Sequence, residues 1–413
     1  MTTNSIQQTD ILVIGAGMAG VSAAIAASQE GAKTLLVDCS AVPGGLATAA
    51  MVGTFCGLFA RHQTQTQWAF KGQARALAEK AASVSGSETA SWKNGLRFLP
   101  YDPQALSNLL KQEICENHIH YLPRAQVKGI CMAAGGVSEV HAQIDGATST
   151  IRPACVIDAS GHALSHELAG LPTMPAIAHQ AAALAFSLEG LPTDMDTLPL
   201  QIMTGIHRGV QAGKLSAEAR RITITPGSLN KGAGLFKFGI PPPSPATDLG
   251  SLKAVTERVI DDVLIYLRRE EPLLRSIALR ETAPEIGIRT GSRPVGQVLL
   301  TDHAVRNGLK PEDGIAAGVW PIEFWDTAER PDMEYFEEED YYLIPAGSLV
   351  SACANNLFFA GRNLYAEDRA HASARVIGTC MQMGLASGIL AASQLHGTDM
   401  PSAIATIRER QLL

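Results

Sequence analysis

The most regular pattern of apolar and polar positions lies at the start of the chain. Asp10-Ile-Leu-Val-Ile14 is an unbroken apolar run, as expected of a strand buried on both faces of a parallel sheet. It leads into Gly15-Ala-Gly-Met-Ala-Gly20. An Ala-rich stretch from Met18 to Glu30 then predicts a helix closed by Gly31. A second apolar run, Lys33–Val37, ends at Asp38. Pro43–Arg61, rich in Gly, Ala and Thr, reads as a close-packed loop with a short helix, Thr66–Val84 as a helix, and Ser85–Lys93 as a polar loop. Asp102 and Pro103 open a helix to Glu116.

Short strands follow at His120–Leu122, Gln126–Met132, Val137–Gln143 and Thr148–Arg152, punctuated by Ala134-Gly-Gly136 and Asp145-Gly146. Cys155–Asp158 is another buried strand, closing at Ala159-Ser-Gly161. From His162 to Glu339 the pattern is irregular and holds most of the prolines. Pro241–Pro245 reads as a stiff connector, and Asp248–Glu270 as a helix of alternating charge. The acidic stretch Glu329–Asp340 reads as a solvated loop, with docking of a basic partner as its other role. Asn356–Ala360 is again an apolar strand, ended by Gly361-Arg362, and Arg375–Gln394 predicts one long helix of small residues. No internal repeat is present.

Composition narrows the class. With 413 residues, 46% hydrophobic and 18% charged, the chain can bury a core and is not disordered. A net charge of −7 offers no basic field to nucleic acid or an anionic membrane. Met1–Asp10 lacks the pattern of a signal peptide and no apolar run reaches spanning length, so a soluble cytoplasmic protein is expected. The seven cysteines, Cys39, Cys56, Cys115, Cys131, Cys155, Cys353 and Cys380, contain no C-x-x-C pair. That argues against a metal site, an iron–sulfur cluster or a disulfide framework.

Gly15, Gly17 and Gly20 form G-x-G-x-x-G between a strand and a helix. The first glycine makes the tight turn, the second admits a pyrophosphate, and the third lets the helix pack on the sheet. Asp38, 23 residues after Gly15, stands where an acid hydrogen-bonds the adenosine ribose. Gly44-Gly45 allows close passage beside a bulky cofactor. The glycine-ended strands at Asp158–Gly161 and Leu357–Arg362 return to the same sheet edge, where parallel sheets bind ligands. Together these imply a long, extended cofactor.

These segments resemble the two-dinucleotide-binding-domain flavoproteins, and among them the FAD-dependent oxidoreductases that hold FAD extended. The likeness covers residues 1–165 and 280–395. Its most specific parts are Ala360–Asn363 with Arg375–Gly384, and Glu285–Arg293. In the latter, Pro294 stands where the family usually carries a second arginine. Trp320-Pro-Ile-Glu323 is followed by Phe324, where the family often has Asp-His. The resemblance implies an α/β fold: a Rossmann-like FAD-binding domain split in sequence (1–165 and 341–413), with an inserted α+β substrate domain (166–340) and the flavin at their junction.

It also implies a cofactor-binding set. Gly15, Gly17, Ala19 and Gly20 would meet the pyrophosphate and Asp38 the ribose. Gly44, Gly45, Asp158, Ala159 and Gly161 would line the passage, and Gly361 and Arg362 the ribityl–phosphate region. Gly378 and Thr379 would open a helix whose dipole favours the anionic reduced flavin. Gly378, Gly384 and Gly388 would let that helix approach the sheet and cofactor closely. His371 is the candidate catalytic base, or else a core or surface histidine, and Glu367 and Asp368 would orient His371 or Arg362. Arg289 and Arg293 would clamp a substrate carboxylate, or else serve as structural ion pairs. Cys56 would either lie near the flavin, redox-active or covalently attached, or simply pack.

The implied activity is hydride transfer from a small or medium organic substrate to flavin, with reoxidation by oxygen or an electron carrier. One alternative is an FAD-dependent monooxygenase, although such hydroxylases show Gly-Asp where this chain has Gly361-Arg362. Another is an electron-transfer flavoprotein that docks a redox partner. No second G-x-G-x-x-G follows a strand, so a pyridine-nucleotide reductase is not expected.

Overall fold

The computed structural model describes residues 5–193, 195–244 and 246–413. Residues 1–4 of the polar start, and Pro245 at the end of the proline connector, lie outside the described residues. The strand Ser5–Ile14 pairs in parallel with Thr34–Val37 on one side and with Ala147–Asp158 on the other. His120–Leu122 extends the sheet beyond Thr34–Val37, and Leu357–Phe359 joins Ala147–Asp158 in parallel at its carboxyl end. An antiparallel hairpin, Gln126–Ala133 with Gly136–Ile144, completes the other edge. Ile11 and Val13 enter one core, Leu12 and Ile14 another, so the sheet is covered on both faces.

Ala147–Asp158 was expected as two strands, broken near Pro153, yet it is continuous. The reason is local. On the flank away from Ser5–Ile14, the hairpin partner ends its pairing at Ile151 and Leu357–Phe359 begins at Val156. Across that gap the strand is carried by its pairing with Ser5–Ile14, which runs through Pro153 opposite Thr9 and resumes at Cys155 opposite Ile11.

The helix Met18–Gln29 is clasped by Ile377–Leu395. A Cβ on Gly384 or Gly388 would overlap the carbonyl oxygens of Ala19 and Ala23, so the two backbones touch. These two glycines thus serve contact with the first helix. The helix expected over Arg375–Gln394 is Ile377–Leu395, and a short helix ahead of it, Asp368–Ala374, meets it at a bend of 92°. At the break Val376 is extended, and the Gly378 N–H donates to the Cys56 carbonyl at 2.9 Å. The helix expected over Thr66–Val84 runs only over Gln73–Ser85. Gly72, with φ +76°, stops it against the Arg410 carbonyl, and Phe70 enters the core instead.

A second sheet lies in the middle of the chain. Ala182–Glu189 is flanked by Ala233–Ile240 and Ala278–Thr282, with Ile222–Ile224 outermost, all antiparallel. The helices Leu198–Gln211 and Leu249–Glu270 share its core, into which Phe186, Phe236 and Phe238 point. The stretch expected as one inserted unit contributes to two cores. Leu300, Val305, Ile322 and Phe324 belong to the large first core, and Gly314–Gly318 pairs with Tyr342–Pro345.

The acidic stretch is not a free loop. Asp332–Glu334 pairs with Ile322–Phe324. Its acids form ion pairs within the chain: Asp332 and Glu334 with Arg369, Glu334 with Arg306, and Asp340 with Lys310. Among the described residues no single helix is long and apolar enough to cross a membrane.

Candidate active site

The glycine turns are held by their own backbone. Gly15 has φ +100°, and a Cβ there would lie 2.7 Å from the Ala159 oxygen. A Cβ on Gly20 would overlap the Gly15 carbonyl, whereas Gly17 has room, its nearest neighbour being the Gly45 Cα at 3.9 Å. The Gly44 N–H donates to the Ala16 oxygen at 2.7 Å, so the two glycine loops lie side by side. The helix Met18–Gln29 starts at Gly17 without a side-chain cap, an arrangement that leaves the first-turn N–H groups, Ala19 included, to an anion.

Asp38 is half-buried and accepts from the Ala16 N–H at 2.5 Å and the Ser40 N–H at 2.6 Å. Burial pushes its carboxyl up, and these bonds partly oppose that. It therefore fixes the glycine turn and keeps lone pairs for a hydroxyl donor.

Asp158 departs from its expected place beside the cofactor. It is fully buried and accepts from the Ser160 and Ser165 N–H groups at 2.9 and 2.7 Å, so it holds the turn from within. Asn363, which the sequence reading passed over, ties that turn to the second glycine strand. It accepts from the Ala163 N–H at 2.9 Å and donates to the Asp158 carbonyl at 3.0 Å. Its only signal was its place directly after Gly361-Arg362.

Gly161 and Arg362 line a groove of about 400 Å³ between the two sheets, faced by Ile288 and Lys253. The Arg362 guanidinium lies against Gly161 and donates to the Ile288 carbonyl at 2.6 Å. Gly361 has φ +67°, and a Cβ would lie 2.8 Å from that of Ala19. At the start of Ile377–Leu395 the Thr379 hydroxyl is fully buried and lacks a hydrogen-bond partner. A Cβ on Gly378 would be 2.6 Å from the Gly57 oxygen, which brings the Cys56–Gly57 loop onto this helix end.

The expected catalytic residues separate. Arg293 is 2% exposed and pairs with Asp368 at 2.6 Å. Asp368 also accepts from the Ile177 and Ala178 N–H groups at 2.9 Å. Arg293 is thus held as a buried ion-pair partner, with its Nε unpartnered. Neither acid orients His371 through its side chain, because Glu367 accepts from the Asp302 N–H at 2.6 Å.

His371 is 2% exposed. Its Nε2 donates to the Arg362 carbonyl at 3.0 Å, and its Nδ1 has no partner. Burial, then Arg293 and Arg375, hold its pKa well below the usual histidine range, so the imidazole is neutral. Burial, then Glu323, pushes the Cys56 thiol up to about 12. A thiol so protonated is a poor nucleophile, which counts against covalent or redox chemistry there.

Arg289 does face a polar site. It lies over the Trp325 ring, 4.5 Å from its centroid, and donates to the Ala181 carbonyl. Burial, then Arg375, lowers its pKa. Around it stand residues that sequence reasoning did not assign to the site. Glu323 accepts from the Trp320 indole at 2.7 Å and the Trp325 indole at 2.9 Å. Gln180 accepts from Arg375 at 3.0 Å and from the Trp325 N–H at 3.2 Å. Lys237 reaches the same place from the second sheet, and its charge acts on Cys56 and is felt by Arg289 and Glu323. The one signal for any of these was the Trp320-Pro-Ile-Glu323 segment.

Comparison with known proteins agrees with the architecture. A family model described as FAD dependent oxidoreductase matches residues 10–412. A search of curated proteins finds no match. Among solved structures, the chain is similar to the OxyS anhydrotetracycline hydroxylase from Streptomyces rimosus, with a TM-score of 0.54 at 12% identity. That likeness covers 98% of this chain and 65% of the hydroxylase. A flavin-dependent brominase, Bmp2, has a TM-score of 0.52 at 12% identity, covering 98% of this chain and 83% of its own. At such identities the likeness speaks for the fold alone.

Proposed function

The chain belongs to the FAD dependent oxidoreductase family, and we propose that it oxidises a small or medium organic substrate held between the Cys56–Gly57 loop and the polar face of the second sheet. The residues present fit FAD on two observations. The glycine turns crowd backbone against backbone where a Cβ would collide, and the buried Thr379 hydroxyl has no partner within the chain. Gly15, Gly17, Gly44 and Gly45 would hold the pyrophosphate, Asp38 the ribose, Gly161 and Arg362 the middle of the cofactor, and Gly378 and Thr379 its flavin end. When bound, the flavin supplies a two-electron acceptor that returns the electrons to oxygen or to an electron carrier.

The chain's own groups do the rest. Glu323, held by two indole N–H groups, keeps one orientation and retains lone pairs for a substrate proton. His371 is kept neutral among arginines, where a proton would be costly. It serves better as a positioning residue for Arg362 than as the base.

The observation that carries this reading is the juxtaposition of a glycine-lined cradle with a donor-rich side-chain cluster from a separate sheet. The test is anaerobic mixing of the purified yellow protein with candidate alcohols, amines and acids. Bleaching of the flavin by substrate alone supports dehydrogenation. The second reading, oxygen insertion, draws on the fold shared with the hydroxylase. Under it, substrate alone leaves the colour unchanged, and labelled oxygen enters the product once an external reductant is supplied.

A further inference from the structure

We propose that the substrate is a carboxylate with an apolar body, and that Lys237, Arg289 and Gln180 form the subsite that receives its carboxylate. This rests on the placement of the substrate proposed above. Along Ala233–Ile240, Phe236 and Phe238 enter the core of the second sheet. Lys237, between them, therefore projects from the opposite face. Directly across from it is Ala185, whose side chain leaves the ammonium room. Two residues earlier on the same face, Leu235 lies where a Cβ of Gly53 would be. Lys237 is thus on the face that meets this loop, near enough to Cys56 for their charges to interact.

Its ammonium has no hydrogen-bond or ion-pair partner among the described residues. Gln180 is 1% exposed, and its Nε2 donates to nothing. Its oxygen is already taken by Arg375 and Trp325. The Arg375 Nε is likewise unpartnered. Arg289 is fixed flat on Trp325 with one N–H used on Ala181, which leaves the rest of its fork unspent.

The one carboxylate nearby among the described residues, Glu323, spends one lone pair of each oxygen on an indole. Three cations and a buried amide thus offer donors with one anion among them. A buried donor left unmatched is costly, and the complement of this set is an anionic group with several acceptor lone pairs. On the other side of Cys56, Leu96, Phe98, Trp320 and Val376 form a small apolar cluster. That wall suits a hydrocarbon body and disfavours a free inorganic anion.

The test uses the FAD-loaded enzyme and measures the shift of its flavin spectrum with benzoate, benzamide and inorganic phosphate. We expect benzoate to perturb the spectrum saturably and benzamide to bind at least tenfold more weakly. In Lys237→Met, benzoate affinity should fall at least tenfold while FAD retention is unchanged. Lys237→Arg should recover most of it, an outcome that a packing role for the stem alone would not give. Equal binding of benzoate and benzamide, or full affinity in Lys237→Met, would overturn the proposal. So would phosphate matching benzoate. If Lys237→Met does not fold, the wild-type comparison of benzoate with benzamide still decides. The readout needs no turnover, so a failure to find an oxidised substrate breaks the functional reading and leaves this one standing.

Discussion

The cradle around Gly15–Gly20 and the polar face around Lys237 are built from opposite parts of the chain. The first is backbone on backbone: Gly15 against Ala159, Gly20 against Gly15, Gly45 against Gly17. The second is side chain on side chain, with Lys237, Gln180, Arg289, Glu323 and Arg375 each arriving from a different segment. A backbone site tolerates no added atom where its turns touch, as at Gly15 and Gly20, but accepts any substrate chemistry beyond it. A side-chain site can be altered residue by residue without breaking the fold. One scaffold can thus keep its cofactor and change its substrate.

The sharpest way to break this contrast is Gly20→Val. Its side chain would overlap the Gly15 carbonyl, so the variant should fail to accumulate as a folded flavoprotein. A soluble yellow G20V protein would refute the idea that the cradle is fixed by backbone. Gly17→Ala sharpens the same point: with 3.9 Å of room, it should fold normally yet release FAD more readily in equilibrium dialysis.

Asp368→Ala comes next. It leaves the buried Arg293 guanidinium unpaired, and such a loss costs about 3–5 kcal/mol, read in a denaturant titration. A loss below about 1 kcal/mol would return Arg293 to the list of substrate contacts.

His371 gives a smaller, pH-dependent effect. An unfolded histidine titrates near 6.5, whereas His371 in the fold stays neutral to well below that value. Below pH 6.5 the unfolded chain binds a proton that the native one refuses. Stability therefore falls as pH drops, by at most about 1.4 kcal/mol per pH unit for one group. Above pH 6.5 this residue adds no slope. His371→Gln should flatten part of the acid limb, and an unchanged limb would show that the imidazole is protonated in the fold. Smallest is Asp102→Ala, which removes the cap on the Ala105 N–H and should cost about 1 kcal/mol with no change in flavin retention.

The same contrast explains what the sequence made legible. Strand, glycine turn, helix and Asp38 could be read because their meaning depends on spacing within one short stretch. Gly384 and Gly388 were read as bringing their helix to the sheet and cofactor, yet their contact is with Met18–Gln29. The run of small residues made the helix Ile377–Leu395 legible, but not the short helix Asp368–Ala374 before it or the bend between the two. The break comes from Cys56, more than three hundred residues earlier, which takes the Gly378 N–H. Arg289 and Arg293 looked equivalent four residues apart. Only tertiary structure gives Arg293 an aspartate and Arg289 an indole ring.

The contact between Met18–Gln29 and Ile377–Leu395 has a consequence for synthesis. The first helix leaves the ribosome more than three hundred residues before the surface that covers it. Until then the face of Ala19 and Ala23 that Gly384 and Gly388 will meet is exposed, and the sheet lacks its Leu357–Phe359 strand. The nascent chain must hold an open sheet edge and an unclad helix while some three hundred further residues emerge, a state prone to aggregation. Such a protein depends on protection during translation more than one whose core closes in chain order.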